Sequence, residues 1–333
     1  MLPRPGKTRN SQTADRCGQS VRGLPGIRHS RRVKPRKPIP VPLDRLPFTT
    51  QQGHRAGLGR QRLRGNDLVH PFQGVYAVDR GELSVDDLCR ILQTRLPGDA
   101  FFSSATAALI MHIPLPLKLE RSRELHVTVP APRTAPTGRG IRGHSVRVDP
   151  ADVRVWGGLR ISSPERTWCE IARELTLPEL VAAGDYLIRW SMPLTTAQQL
   201  ADAVGRFASK AGKPRMLEAL PLLHDRSESP KESELRVIFV RAGLTGMEIN
   251  LPIVTTDGFR YRADIAFPHR KTLVEYQSRF HDPSTNFRAD MTRISRLEAD
   301  GWVVIQVNND DLADPEELVR RVKRVLASRP YFG

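Results

Sequence analysis

Two acidic residues carry the chemistry this sequence offers. Asp264 sits in Arg262-Ala-Asp264-Ile-Ala-Phe267 and Glu275 in Thr272-Leu-Val-Glu275-Tyr-Gln277, with Pro268-His-Arg270 as a tight turn between them. Both stretches have strand character, so each strand brings one carboxylate. Mg²⁺ demands oxygen ligands, keeps several waters, and is commonly held by one or two carboxylates plus a substrate phosphate. Such a pair on neighbouring strands is suited to phosphodiester hydrolysis, with Mg²⁺ or Mn²⁺ as the cofactor. Glu275 is the more informative of the two. A carboxylate flanked by Leu273, Val274 and Tyr276 is costly to bury unpaired. Asp264 has a plainer alternative, an ion pair with Arg260 or Arg262.

The elements around the pair follow from local signals. Ser229-Pro230-Lys231-Glu232 has capping-box spacing with Pro at the first helical position, and the helix should run to Ala242 before Gly243 ends it. Residues 250–255 and 259–267 read as a hairpin about Asp257-Gly258. Strict alternation puts Phe259, Tyr261, Ala263, Ile265 and Phe267 on one face and Arg260, Arg262 and Asp264 on the other. A third strand spans 272–277, with Glu275 on the face of Leu273 and Gln277. A helix follows over 285–300, then a strand over 302–307. Asp314-Pro315-Glu316-Glu317 opens the last helix with a cap, a proline and acids at its positive end.

That order, with Asp264 and Glu275-x-Gln277 in those slots, resembles the PD-(D/E)XK nuclease superfamily. Ser229-Pro-x-Glu232, Arg262-x-Asp264, Glu275-Tyr-x-x-x-x-His281, Arg288-x-Asp290-x-x-Arg293 and Gly301-Trp302 resemble the domains akin to very-short-patch-repair endonucleases, over roughly 226–328. The resemblance implies that Asp264 and Glu275 ligate the metal and that Glu232 completes or supports the site. It places His281 where a proton is handled near the attacking water, and Arg288 and Arg293 toward the phosphate or the acids. Asp290 would pair with one of those arginines, and Gln277 would orient the water. Relatives usually carry an acid or Lys at the position of Gln277 and Gly at that of Ser278. Plainer roles stand beside these: Glu232 as a cap partner, His281 as a surface residue, Arg288 and Arg293 as a solvated helix face.

The rest of the chain divides into 1–43, 44–80 and 81–225. The net charge is +16, and residues 1–43 hold eleven Lys/Arg against one acid, Asp15. This Pro-, Gly-, Arg- and Ser-rich stretch reads as disordered. It is a nucleic-acid-binding arm, a solvated extension, or a leader preceding a true start near Val33. Residues 47–79 read as two short helices, 51–55 and 60–63, followed by strands at 68–72 and 74–78. This is the order of a small winged helix, with Arg55, Arg60, Arg62 and Arg64 on or beside the second helix, where such folds meet DNA; a packing module with a basic face is the alternative. Helices are expected within 82–112 and strands at 124–130 and 145–148, with a loop over 131–143. Further helices are expected at 164–174, 178–190, 195–207 and 214–223. The stretch 44–190 resembles the abortive-infection type IV antitoxin-like proteins of actinobacteria, which implies DNA and a toxin or other protein as partners.

The fold class is therefore α+β multidomain: a winged-helix-like module, a mixed α/β middle region, and a PD-(D/E)XK-like domain over 226–333. No run of residues approaches the roughly eighteen apolar positions of a membrane-spanning helix. Cys17, Cys89 and Cys169 are far apart and lack metal-ligand spacing, as buried or incidental thiols of a reducing cytoplasm would be. Three functions compete. One is a Mg²⁺-dependent nuclease with an antitoxin-like DNA-binding region. Another is an inactive nuclease fold acting as a DNA-binding regulator. The third is a protein-interaction role for 80–225, with nucleic acid secondary.

Overall fold

Helix caps set most of the chain's boundaries. The structure is a computed structural model that describes residues 36–277 and 286–332. Strand β1 (Phe48–Thr49) leads into α1 (Thr50–Arg55), where Thr49 and Gln52 form a reciprocal capping box. Helix α2 (Arg60–Leu63) and strands β2 (Leu68–Val69) and β3 (Val75–Val78) complete a small module with the sheet order β1-β3-β2. Phe48, Leu58, Leu63 and Leu68 form its core.

The middle region is built on a six-stranded sheet. Its elements are α3 (Val85–Gln93), β4 (Phe101–Phe102), α4 (Ser104–Ile110), α5 (Leu117–Glu120), β5 (Leu125–Pro130), β6 (Thr137–Gly138), β7 (Ile141–Val146), β8 (Val153–Trp156) and β9 (Leu159–Ser162). The strand order is β6-β7-β5-β4-β9-β8. Helices α6 (Pro164–Ile171), α7 (Leu177–Ile188), α8 (Ala197–Arg206) and α9 (Lys213–Ala219) follow, near the expected positions. Ser163, Thr176 and Thr196 each cap one of them.

Several expectations here need correction. The stretch 131–143 holds β6 and the start of β7, not a plain loop, and β7 begins at Ile141 rather than 145. Arg142, His144 and Ser145 give it no apolar alternation, and backbone pairing in parallel with β5 holds it. The hairpin β8–β9 was not foreseen, although Gly157-Gly158, both at positive φ, is a strong two-residue turn signal. Strand β4 has two residues, too few to show a period.

The C-terminal layer runs α10 (Pro230–Arg241), β10 (Glu248–Val254), β11 (Arg260–Phe267), β12 (Thr272–Tyr276), α11 (Asn286–Ala299), β13 (Val303–Val307), α12 (Asn309–Ala313) and α13 (Pro315–Ser328). Helix, three strands, helix, strand, helix is the expected order, with the short α12 added. The sheet order is β10-β11-β12-β13. The first three strands are antiparallel, and β13 returns parallel to β12 after α11. Leu235 and Phe239 of α10 and Leu318 and Val322 of α13 cover one face; Leu297 of α11 covers the other. Each of these apolar side chains contributes about 1.5–3 kcal/mol by burial.

The chain divides into Met1–Pro38 and Ile39–Gly333, and every element above lies in the second unit. The boundary expected near 225 falls inside that unit. Helix α10 serves two cores at once: Val237 belongs to the core of the middle region, while Leu235 and Phe239 belong to the C-terminal sheet. Between α7 and α10 the buried Asp185 accepts hydrogen bonds from Arg236 Nη2 and Ser233 Oγ, both at 2.6 Å, and from the backbone N–H of His224 at 2.7 Å. Among the described residues the architecture is mixed α/β with three sheets. Among the described residues no helix is long and apolar enough to cross a membrane, and Cys89 and Cys169 are free and buried.

Candidate metal centre

Strand β12 is paired on both sides, which buries Thr272 through Glu275 in the middle of the sheet. Its ladder with β11 ends at Ile265 opposite Val274. One rung further, the same register sets Asp264 opposite Glu275. Directly opposed residues have Cβ atoms about 4.5–5.5 Å apart. The strands thus bring the two acids together where the ladder stops.

The meeting depends on a break that strict alternation did not foresee. Tyr261 and Ala263 pack with Ala266 and Leu273, whereas Ile265 and Phe267 pack on the opposite side of the sheet with Val274. The faces change at Asp264. Across β10 its partner position is Asn250, which has a φ of 50° and makes no ladder pair with Asp264. Tyr261, expected to face away from the acids, instead donates its hydroxyl to Glu275 Oε2.

The electrostatics of the pair are strained. Glu275 is only 4% exposed, and its Oε1 is buried with no hydrogen-bond partner. Burial, then the neighbouring Asp264 charge, push its carboxyl up to about 8; the hydrogen bond from Tyr261, the Arg293 charge and, least, the nearby backbone N–H of Asp264 oppose this. Asp264 Oδ2 accepts the backbone N–H of Tyr276 at 2.8 Å. Burial lifts Asp264 to about 6, with the charges of Glu232 and Glu228 adding to the rise and Tyr276 N–H and Arg293 opposing it. Two acids that resist ionising side by side, one with an orphaned oxygen, lack a cation. Arg293 supplies only part of that need. Its guanidinium lies 5.0 Å from the centre of the Tyr261 ring and 3.3 Å from Asp290.

Glu232 stands at the edge of this centre. Ser229 Oγ accepts its backbone N–H at 3.2 Å, as a cap should. Its Oε2 accepts from Glu228 N–H and from Asn250 Nδ2, each at 2.9 Å. The side chain is therefore both a helix-start brace and a negative charge felt by Asp264. Arg262 turns outward and pairs with Glu228, not with Asp264. Gln277 is half-buried, and its backbone N–H donates to the Val307 carbonyl at 2.7 Å. His281 and the side chain of Arg288 lie outside the described residues.

Tyr261, Asn250 and Glu228 were missed in the sequence. Tyr261 was assigned to the wrong side by unbroken alternation, and nothing local marks Asn250 or Glu228. Among the N-terminal arginines, Arg55, Arg60 and Arg64 are exposed. Arg62 is not available in the same way, because Asp67 takes it in a two-pronged ion pair at 2.6 and 3.0 Å.

No group of three or more His, Cys, Asp or Glu able to hold a metal occurs among the described residues. The donor set nevertheless fits a hard divalent cation. It is all carboxylate, it is short of positive charge, and Mg²⁺ fills its remaining positions with water and phosphate.

No protein-family model matches the chain. The uncharacterised protein Rv2248 of Mycobacterium tuberculosis strain H37Rv is 30% identical over 269 residues, covering 80% of this chain and 94% of that protein. The chain belongs to its family. The uncharacterised protein MT2308 of strain CDC 1551 matches to the same extent. The crystal structure of the RV2827C protein of Mycobacterium tuberculosis has a TM-score of 0.34 and 17% identity, over 58% of this chain and 75% of that one. A likeness so slight carries no argument.

Proposed function

We propose that the chain is a metal-dependent nuclease that hydrolyses DNA phosphodiester bonds, with a PD-(D/E)XK-like C-terminal layer and a winged-helix-like, antitoxin-like N-terminal part. The observation that carries this reading is the orphaned Oε1 of Glu275 beside Asp264. Structural acids are normally saturated with donors, and this one is held short of them. Asp264 and Glu275 would hold Mg²⁺ or Mn²⁺. Bound there, the ion would activate a water and neutralise phosphate charge. Tyr261 and the Tyr276 N–H each hold one oxygen of the two acids, so both carboxylates are oriented before a cation arrives. Arg293, whose guanidinium lies 5.0 Å from the centre of the Tyr261 ring, would meet a phosphate oxygen. Gln277 would orient the attacking water, and His281 would exchange its proton.

Plasmid nicking by the full chain with Mg²⁺ or Mn²⁺ tests the reading. Wild-type protein should cut, EDTA should stop it, and Asp264→Ala or Glu275→Ala should lower the rate by about a thousandfold, as loss of several kcal/mol of charge stabilisation requires. Cutting that survives both substitutions would refute it. One observation favours a second reading. With two acids rather than three, and Gln277 where the resembled nuclease family usually carries an acid or Lys, the fold would serve as a DNA-binding regulator without cleavage. DNA binding with no cutting in either metal would select that reading.

A further inference from the structure

A cavity of about 200 Å³, with Glu228 in its wall, lies between the end of α7 and the start of α10. It is smaller than the roughly 300–1,000 Å³ of whole-ligand pockets, the scale of a single ring system. Trp190, Tyr186, Ser227 and Pro230 are among the residues lining it. Three features mark it as built to bind. Trp190 is 53% exposed, a large aromatic surface left open to solvent apart from the Arg226 guanidinium near its ring. Ser227 is 6% exposed, and its Oγ is buried without a hydrogen-bond partner. A hydroxyl in that state costs free energy unless something bonds to it. The walls are also held in place. The backbone N–H of Trp190 donates to the Asp225 carbonyl at 3.1 Å, tying the loop after α7 to the loop before α10.

The charges at the cavity are mixed: Arg189, Asp185 and Glu228 line it, and Arg226 stands beside it against Trp190. The Arg226 guanidinium lies 5.8 Å from the centre of the Trp190 ring, and that of Arg189 lies 3.9 Å from the centre of the Tyr186 ring. Asp185 is saturated by Arg236, Ser233 and His224 N–H, so it asks nothing of a ligand. The combination is one exposed aromatic ring, one buried hydroxyl without a partner, and the guanidiniums of Arg189 in the wall and Arg226 near the ring. It suits a planar heterocycle attached to a phosphate. The cavity is joined to the acids through short links. Glu228 lines it, pairs with Arg262 two residues from Asp264, and donates its N–H to Glu232. Asn250 Nδ2 bridges Glu232 and the Arg226 carbonyl.

We propose that this cavity takes one unpaired nucleobase of the DNA strand presented to the Asp264–Glu275 centre, stacked on Trp190, hydrogen-bonded to Ser227 Oγ, with its phosphate at Arg226 and Arg189. The inference rests on the nuclease reading for the identity of the strand, and adds that the substrate is single-stranded or has a base turned out of the duplex.

The test measures binding and cutting separately on the full chain. Binding of a labelled short single-stranded DNA is followed in EDTA, where no cutting occurs, by anisotropy and by quenching of tryptophan emission. Base–aromatic stacking predicts that Trp190→Ala weakens binding about 5- to 150-fold and removes most of the quenching, while Trp190→Phe stays within about threefold of wild type. Trp190 is exposed, so neither variant should disturb folding. A strand with a single abasic position should bind the wild type more weakly when that position occupies the cavity, and should cost Trp190→Ala nothing further. Equal affinity of Trp190→Ala and wild type for single strands overturns the base pocket even if plasmid cutting is intact. Cutting absent in every metal, with binding still dependent on Trp190, overturns the nuclease reading and leaves the pocket standing.

Discussion

Two buried acids in this molecule are treated in opposite ways. Asp185, between α7 and α10, has both oxygens occupied by protein donors, one of them a guanidinium. Glu275, in the middle of the C-terminal sheet, has one oxygen held by a tyrosine and the other without a hydrogen-bond partner, and Asp264 is an acidic neighbour. Burial pushes both carboxyls up. At Asp185 the charge of Arg236 opposes the push; at Glu275 a second carboxylate adds to it. The first acid welds two layers together. The second is kept at a cost that folding alone does not explain, which is the usual mark of a functional group.

The sharpest way to break this comparison is to remove one partner on each side. Arg236→Ala leaves Asp185 buried without its counter-charge and should cost about 3–5 kcal/mol in urea unfolding. Glu275→Gln keeps the shape, lets Tyr261 still donate, and ends the repulsion with Asp264. It should leave stability at pH 8 unchanged or raise it by about 1–2 kcal/mol. If Glu275→Gln were the more damaging of the two, the contrast would be lost.

Acidity sharpens the same point. The folded values of Asp264 and Glu275 are raised above those of the unfolded chain. For an acid shifted this way, the folded state binds the extra proton, so stability falls as pH rises from about 4 to about 8. The cation-free protein should therefore melt lower at pH 8 than at pH 5.5 by this contribution, and Glu275→Gln should flatten the trend. Metal binding must run in the opposite sense, because the ligands must be ionised. Mn²⁺ affinity by calorimetry should rise up to about tenfold per pH unit between about pH 6 and 8. An affinity flat across that range would remove the two acids from the site.

The smallest effects concern the N-terminal arginines. Arg64→Ala and Arg60→Ala should leave melting unchanged and lower the salt slope of DNA binding by about one each, if those side chains meet phosphate. Arg62→Ala should instead cost stability, by about 1 kcal/mol, because the two-pronged ion pair with Asp67 is lost. A salt slope unmoved by Arg60 and Arg64 would point away from this module as the DNA contact.

Much of the C-terminal layer was legible because its signals are local. Ser229-Pro230, Asp257-Gly258 and Asp314-Pro315 fix where a helix starts or a strand turns through the bonding of a few adjacent atoms. The same local logic was available at Gly157-Gly158 and was passed over. Strands β4, β6 and β7 gave no such sign, since they are short or polar and are held by backbone pairing to distant partners. Arg62 looked identical to Arg60 and Arg64 until Asp67 was found against it.

The sequence by itself determined which residue types stand on which strand, and so that one carboxylate would come from each of two neighbouring segments. Only the tertiary structure decided what those carboxylates meet. The break at Asn250 and Asp264 turns Tyr261 onto Glu275, and β12's central place buries that acid with one oxygen unpartnered. The physical reason is range. Caps and turns are set by neighbours a few bonds away, whereas register, face and burial are set by strands that are remote in the chain.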